Sequence, residues 1–256
     1  MKQDVFPEER YKGKFNLRTV LIIKMGTTFP SLARRRGDFE DWIIHPLGLD
    51  PSKIRVVKPY EGKGLPDPHQ LAGVVVTGSH TMVTDREDWS EGTAVWLSRI
   101  VEDRTPLLGI CYGHQLLAHA MGGVVGPNPL GSEFGTVDVR LSEHADGDPL
   151  LTGFPSTLRV QACHTQSVLK LPPDATLLAA NDSDPHHAFS VGDAAWGVQF
   201  HPEFDADIIE FYLKKCADTL RKEGLDPTRL HSTAENTPYG EDLLRRFGKI
   251  ILENEK

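Results

Sequence analysis

Residues Gly109-Ile-Cys-Tyr-Gly-His-Gln115 place a thiol between two glycines, at the point where a buried strand is expected to turn into a helix. A sharp turn from strand to helix needs small neighbours, because its backbone segments approach each other closely. Such a turn lifts the Cys111 side chain above the end of the strand, and the N-terminus of the following helix favours the thiolate. The stretch therefore predicts an exposed and activated cysteine at the edge of an α/β sheet.

Apolar runs alternate with amphipathic segments up to and around this turn. Short continuous apolar runs are typical of strands buried on both faces of a sheet, and apolar residues at helical spacing indicate the intervening helices. The predicted strands are residues 19–24, 53–58, 71–77 and 106–110, and the predicted helices are residues 31–45, 89–103 and 113–121. In the second of these helices, Val95, Trp96, Leu97 and Ile100 are expected to form the buried stripe.

From Val124 the pattern changes to short alternating runs, which are typical of antiparallel strands. These runs are residues 136–141, 158–162, 176–180, 188–191 and 195–200. A helix is predicted over residues 205–223, then a loop over 227–238 and a last helix over 240–252. Because strands that alternate with helices imply right-handed crossovers, we predict an α/β fold with a central, mostly parallel sheet, helices on both faces and an antiparallel extension. The site is expected at the C-terminal ends of the strands.

The composition excludes several classes of protein without naming a function. Charged residues make up 25% of the 256 residues and hydrophobic residues 39%, which is typical of a soluble globular chain. The net charge of −8 opposes general nucleic-acid binding. Cys111, Cys163 and Cys216 form an odd set without a disulfide framework, and no apolar stretch reaches the length of a membrane span. We expect a cytoplasmic protein without nucleic-acid or membrane partners.

A second stretch, Gly197-Val-Gln-Phe-His-Pro-Glu203, supplies a base for the thiol. A nucleophilic cysteine needs a base to deprotonate it, and a third group commonly orients that base. His201 follows an apolar strand, and a bend after Pro202 would bring the Glu203 carboxylate behind the imidazole. The sequence therefore predicts that Cys111, His201 and Glu203 act together.

Together, the two stretches resemble the motifs of the class I glutamine amidotransferases, the Cys-His-Glu triad family that includes the glutaminase domain of GMP synthase. The resemblance runs from about residue 19 to about residue 213. It implies a flavodoxin-like three-layer fold in which Cys111 attacks a side-chain carboxamide, His201 acts as base and then as acid, and Glu203 orients His201. Ammonia then leaves, and water releases glutamate from the thioester.

The resemblance also implies an oxyanion hole for the tetrahedral intermediate. Its candidate donors are Gly78, in the stretch Val76-Thr-Gly-Ser-His80 at the end of a predicted strand, and the amide of Tyr112. Many members of the family have a proline after the glycine pair, where this chain has Gly78-Ser79-His80.

Further residues are implied to bind the substrate. Gln115 matches a position whose side chain helps to hold the substrate glutamine, and residues 163–168 resemble a segment that approaches the amino-acid end of the substrate. His164, Thr165 and Gln166 are the candidates in that segment. Glu133, in the stretch Gly131-Ser-Glu-Phe-Gly135 near the mouth of the site, is expected either to bind a substrate ammonium group or to be an exposed loop carboxylate.

No metal and no cofactor are predicted. The pairs Cys111-x-x-His114, Cys163-His164 and His186-His187 do not provide four ligands at a zinc spacing, and a metal on Cys111 would block the nucleophile. The chain also lacks a glycine-rich phosphate loop followed by lysine, so no ATP site is expected.

Three functions remain open at this point. The first is hydrolysis of glutamine with delivery of ammonia to an acceptor; because the residues outside the resembling region are too few for a synthetase, the acceptor would belong to a separate synthetase subunit. The second is hydrolysis of γ-glutamyl amides or peptides, as in γ-glutamyl peptidases that share the fold and triad. The third is a non-catalytic regulatory subunit, against which the intact triad argues. We expect one amidotransferase-like domain over residues 1–256, with a core over about 19–213 and a helical extension over about 214–256.

Overall fold

The computed structural model describes residues 18–254, so residues 1–17 and 255–256 of the expected domain lie outside the described part. Within it, the strands are β1 (Thr19–Ile23), β2 (Ile54–Val57), β3 (Leu71–Val76), β4 (Leu107–Ile110), β5 (Val124–Pro127), β6 (Glu133–Leu141), β7 (Thr157–His164), β8 (Gln166–Lys170), β9 (Thr176–Ala180), β10 (Ala188–Val191) and β11 (Ala195–Val198). The helices are α1 (Pro30–Arg36), α2 (Phe39–Leu47), α3 (Asp88–Glu102), α4 (Tyr112–Ala120), α5 (Ala206–Lys215), α6 (Ala217–Lys222), α7 (Pro227–Ser232) and α8 (Pro238–Asn254).

Nine of these strands form one sheet in the order β2-β1-β3-β4-β11-β10-β9-β6-β7. The neighbours from β2 to β11 pair in parallel, and those from β11 to β7 pair antiparallel. Strands β5 and β8 form a separate two-stranded sheet. The predicted parallel sheet with an antiparallel extension is therefore confirmed.

Helices cover both faces of the sheet. Strand β1 shows why: Val20 and Ile22 pack with α2 and α8, while Leu21 and Ile23 pack with α3 and α4 on the other face. Since consecutive side chains of a strand point to opposite faces, an unbroken apolar run is what a strand with two covered faces requires. The predicted three-layer fold is confirmed.

Parallel register brings three chain segments to one edge of the sheet. Gly109 of β4 pairs with Gly197 of β11, and Val76 of β3 also pairs with Gly109. Parallel strands end at the same edge, so the residues that follow β3, β4 and β11 lie side by side. This pairing brings Cys111 and His201, which are far apart in the sequence, to the same edge of the sheet.

The predicted helix over residues 31–45 is wrong, because the structure contains two helices there. Gly37 has φ +81° and Asp38 is the N-cap of α2, with its side chain accepting a hydrogen bond from the Phe39 amide. A left-handed glycine followed by an N-cap aspartate ends one helix and begins another. The predicted helix over 205–223 is likewise divided at Cys216, since α5 ends at Lys215 and α6 begins at Ala217.

Other local predictions also need correction. Val95 is 60% exposed, whereas Trp96, Leu97 and Ile100 of α3 are buried as expected. The predicted loop over 227–238 contains α7, and strands β5 and β8 were not predicted. Each of these elements is short, and whether it forms depends on packing against residues that are distant in sequence.

Helix α8 covers the same face of the sheet as α2. Its buried side chains include Leu243, Leu244, Phe247 and Ile251, all of which belong to the core that contains Val20 and Ile22. The helical extension thus contributes to the main core. None of the helices within residues 18–254 combines the length and apolar character that crossing a membrane requires.

Candidate active site

Cys111 lies at the sharp turn between β4 and α4. Its backbone angles, φ 51° and ψ −100°, are uncommon for a residue with a side chain. An added Cβ at Gly109 would overlap the carbonyl of Gly113, and one at Gly113 would overlap the carbonyl oxygen of Val76. The structure thus confirms the need for two glycines around the thiol. It does not confirm an exposed thiol, because Cys111 is only 7% exposed.

His201 and Glu203 form a buried pair beside this turn. The Nδ1 atom of His201 lies 2.7 Å from Oε1 of Glu203, and the exposed fractions of the two side chains are 4% and 0%. The His201 ring stacks on Phe204 with ring centroids 4.0 Å apart. Since a carboxylate can only accept, Nδ1 of His201 carries the hydrogen, and the other ring nitrogen is available to the thiol.

The charge of His201 depends on its neighbours. Burial lowers the pKa of His201, but Glu203 and Cys111 outweigh this effect through charge attraction and side-chain hydrogen bonds, and they raise the pKa from 6.5 to about 10. The site therefore favours the protonated form of His201, which is the form that a proton donor beside a thiol nucleophile requires.

Gly78 lies against both His201 and Cys111. An added Cβ at Gly78 would come 3.0 Å from Cε1 of His201 and 3.8 Å from Cβ of Cys111. Tyr112 is the first residue of α4, so its amide has no acceptor within the helix. The two candidate oxyanion donors, one after β3 and one at the start of α4, thus lie beside the thiol.

A cavity of about 190 Å³ opens beside Cys111. Much of its wall is aromatic or apolar. Its lining residues are Phe29, Ser79, His80, Thr81, Met82, Cys111, Tyr112, Gln115, Phe134, Cys163, His164, Thr165, Gln166, Tyr212 and Cys216. A larger cavity of about 770 Å³ lies along β1 and β2, but it contains no triad residue, so its size does not make it the candidate site.

The predicted substrate-binding residues of this wall also form hydrogen bonds with other residues of the protein. Nε2 of Gln115 donates to the Gln166 carbonyl at 2.8 Å and to Oε1 of Gln199 at 3.0 Å. The side chain of Gln166 donates to Thr84 at 2.6 Å, and that of Thr165 to the sulfur of Met82 at 3.8 Å. These bonds hold the wall in a fixed shape around the cavity.

Glu133 does not lie in the cavity wall, and it is not an exposed loop carboxylate. It is the first residue of β6, is 7% exposed, and its Oε2 atom lies 3.1 Å from Nε2 of His164 and 2.7 Å from Nε2 of His187. Burial opposes its charge, but the interactions with both histidines outweigh burial and keep the pKa of its carboxyl below the usual range. Glu133 therefore has no free oxygen directed at a substrate in the cavity.

Sequence reasoning missed several residues of the cavity. His80 donates to or accepts from the Tyr212 hydroxyl at 3.1 Å, and that hydroxyl lies 2.8 Å from Oγ1 of Thr28. Phe29 packs on both rings, with centroid distances of 4.8 Å to His80 and 5.3 Å to Tyr212. The position of His80, two residues after Gly78, was a usable signal. No sequence pattern marked Tyr212, because only the packing of its helix α5 against the rest of the protein brings it to the cavity.

Comparison with known proteins agrees with this geometry. The model of the family "Glutamine amidotransferase class-I" matches residues 43–215. A GMP synthase [glutamine-hydrolyzing] of Aeropyrum pernix is 34% identical over 186 residues, which are 72% of this chain and 32% of that protein. Gamma-glutamyl peptidase 3 of Arabidopsis thaliana is 30% identical over 225 residues, which are 85% of this chain and 89% of that protein.

The fold has a solved counterpart in a glutamine amidotransferase of Thermotoga maritima. The TM-score is 0.70 at 23% identity, and the match covers 93% of this chain and 99% of the other. Fold and site thus define a mostly parallel α/β protein with a cysteine at its strand-to-helix turn. The chain belongs to the class I glutamine amidotransferase family.

Proposed function

We propose that this protein hydrolyses the γ-carboxamide of glutamine through a thioester on Cys111. The observation that carries the proposal is the Cys111 turn beside the buried His201–Glu203 pair. The thiolate attacks the carboxamide carbon, and the amides of Gly78 and Tyr112 bind the resulting oxyanion. His201 gives its proton to the departing nitrogen, so ammonia leaves and the thioester remains. His201 then takes a proton from water, which attacks the thioester and releases glutamate and the thiolate.

The cavity wall gives the substrate its orientation in this proposal. The carboxamide lies at Cys111, and the amino-acid end lies against Gln115 and the segment from His164 to Gln166. Ammonia would pass to an acceptor in a separate synthetase chain. The GMP synthase relative supports an acceptor outside the amidotransferase domain, since this chain matches 32% of that protein.

A second candidate substrate is a γ-glutamyl peptide or amide. Phe29, Met82, Phe134 and Tyr212 give the cavity an apolar side, which free glutamine does not need and the leaving group of a γ-glutamyl amide would contact. The chain also spans 89% of the γ-glutamyl peptidase relative. The same triad chemistry applies, with an amine leaving in place of ammonia.

A substrate screen tests both candidates. Ammonia and glutamate are measured after incubation with glutamine, and glutamate and the released amine after incubation with γ-glutamyl dipeptides that carry small or aromatic leaving groups. Glutamine hydrolysis that Cys111→Ala abolishes supports the first candidate, and preference for aromatic γ-glutamyl dipeptides supports the second. No hydrolysis of either class, with Cys111 unlabelled by a thiol-directed glutamine analogue, would overturn both and favour the regulatory subunit.

Glu203→Gln tests the role of the carboxylate. Because an amide does not stabilise an imidazolium, we expect kcat to fall by roughly 10³–10⁴-fold while substrate binding is kept. Glu210→Gln is the matched control, since Glu210 lies on α5 outside the cavity. Equal kcat in the wild type and Glu203→Gln would show that Glu203 does not orient the base.

A further inference from the structure

Three side chains of metal-ligand type meet behind the cavity wall. Glu133 begins β6, His164 ends β7 and pairs with Glu133 across the two strands, and His187 immediately precedes β10. Their ligand atoms all lie within 4.8 Å of one another, and in residues 18–254 no other group of three shows this arrangement. The exposed fractions are 7%, 4% and 0%. We call these three residues the Glu-His-His cluster.

The hydrogen bond that His164 makes on one side leaves its other ring nitrogen directed at Glu133. Nδ1 of His164 lies 3.1 Å from the Gln166 carbonyl, which only accepts, so this nitrogen carries a hydrogen. A neutral imidazole carries one hydrogen, so Nε2 of a neutral His164 would direct a lone pair at the Glu133 carboxylate 3.1 Å away. A cation shared by Nε2 and the carboxylate removes this repulsion, and that cation is either a proton or a metal ion.

The surroundings of His164 and Glu133 match those of bound ligands, whereas Nδ1 of His187 has no hydrogen-bond partner among the described residues. Histidine ligands commonly donate their other ring nitrogen to a backbone carbonyl, as His164 does to Gln166, and ligand carboxylates are themselves hydrogen-bonded. Oε1 of Glu133 accepts such a bond from Asn181 at 2.7 Å. The separations of 2.7 and 3.1 Å from Oε2 of Glu133 to the two histidines are close to the about 3.3 Å between ligands of tetrahedral zinc, and all three ligand atoms lie within 4.8 Å of one another, so movement of the side chains lets them reach one ion.

We propose that Glu133, His164 and His187 bind one divalent transition-metal ion of the zinc type. Two imidazole nitrogens and a carboxylate oxygen are a ligand set that Zn²⁺ accepts. The ion ties β6, β7 and the start of β10 together behind the segment from His164 to Gln166, which lines the cavity. The three side chains leave the fourth position of a tetrahedral ion to water, and the site is separate from the triad and does not depend on the proposed function.

Zinc binding by the full-length chain tests the proposal. Cys111→Ala is used as the parent, so that the thiol and His201 do not compete for the metal. We expect equilibrium dialysis against Zn²⁺, with the metal measured by mass spectrometry, to give one bound ion per chain, and Zn²⁺ to raise the Tm. Glu133→Gln and His187→Gln should each lose the bound ion and the Tm shift. His144→Gln, at an exposed histidine outside the cluster, should keep both.

Asn181→Ala keeps all three ligands, so it tests the site even if a variant that lacks a ligand does not fold. Loss of its hydrogen bond to Glu133 should weaken Zn²⁺ binding by about 10–100-fold. Absence of bound zinc in the parent would overturn the proposal and leave a proton as the shared cation. Retention of the full zinc content by a folded Glu133→Gln, or unchanged affinity in Asn181→Ala, would also overturn it.

Discussion

At Cys111 the backbone adopts φ 51°, a region that costs a residue with a Cβ about 1–3 kcal/mol. Hydrogen bonds on both sides hold it there: its amide donates to the Val198 carbonyl at 2.8 Å, and its carbonyl accepts from the Gln115 amide at 3.0 Å. These two bonds link the turn to β11 and to α4. The fold therefore sustains a strained residue at the position where the proposed chemistry needs an accessible sulfur.

Cys111→Gly and Cys111→Ala should differ in stability although both lack the thiol. Glycine adopts positive φ without strain, whereas alanine keeps the Cβ and its cost. We expect Cys111→Gly to have a free energy of unfolding about 1 kcal/mol higher than that of Cys111→Ala. Urea unfolding of the two variants measures the difference. A more stable Cys111→Ala would show that the turn relaxes when the sulfur is removed.

His201 should make stability fall at alkaline pH. Its pKa is raised from 6.5 to about 10 in the folded protein, where burial is outweighed by Glu203 and Cys111, so folding favours its protonated form. This stabilisation is complete below pH 6.5 and is lost as the pH rises through about 10.

The Glu203→Gln variant isolates the contribution of His201 to the pH dependence of stability, because the neutral amide attracts the imidazolium less than the carboxylate does. Between pH 6.5 and 10, we expect its free energy of unfolding to decrease less steeply than that of the wild type. Urea unfolding at several pH values across this range gives both slopes. Parallel slopes would contradict the assigned coupling.

Among the elements, α8 is in close contact with the segment that carries the base. An added Cβ at Gly240 would overlap the carbonyl of Pro202, the residue between His201 and Glu203. The chain just before α8 reaches the same segment from another side: the Gln161 side chain donates to the Glu235 carbonyl at 2.7 Å, and the Gln161 carbonyl accepts from the His201 amide at 2.8 Å. The C-terminal part of the chain thus supports the backbone of the triad.

Gly240→Ala should reduce activity as well as stability. The new methyl group must move either α8 or the Pro202 backbone, at a cost of about 1–3 kcal/mol. We expect a lower kcat and an altered pH–rate profile, since His201 and Glu203 shift with Pro202. Steady-state kinetics over a pH series provides the measurement.

Gly248→Ala is the matched control, because its Cβ would overlap the carbonyl of Leu47 on α2, away from the site. It should lower stability by a similar amount without changing the pH–rate profile. The same pH–rate profile in the wild type and Gly240→Ala, with only stability lost, would argue that α8 does not position the triad.

For the whole molecule, we propose that the chain is one amidotransferase-like domain. Phe247 of α8 is fully buried and contacts Trp196 of β11 at a centroid distance of 6.3 Å, so the extension and the sheet share one core. Phe247→Ala should lower the free energy of unfolding by about 3–5 kcal/mol. Leu252→Ala, at a side chain that is 44% exposed, should change it by less than about 0.5 kcal/mol.

The same unfolding experiments test the proposal that the chain is a single domain. Tryptophan fluorescence and far-ultraviolet circular dichroism should report one coincident transition in the wild type and in Phe247→Ala. Two separate transitions, with only one of them shifted by Phe247→Ala, would instead indicate that α8 and the sheet unfold independently.

Much of the sheet was predictable because its signals are local. The apolar run of β1 and the alternation in β9 and β10 were placed correctly, since the period of a strand is visible within a few residues. The division of α1 from α2 had a local signal as well, in Gly37 followed by Asp38. The burial of Glu133 had none, because it depends on His187, a residue far along the chain.

The sequence by itself determined the elements of the sheet, the strained turn at Cys111 and the motif that ends in Glu203. Each of these follows from short-range sterics and periodicity, which a few neighbouring residues specify. Tertiary structure alone decided that Cys111 meets His201, and that Glu133 lies between His164 and His187 rather than in the cavity. The physical reason is that strand register and packing between distant segments set these contacts, and no single stretch of sequence contains that information.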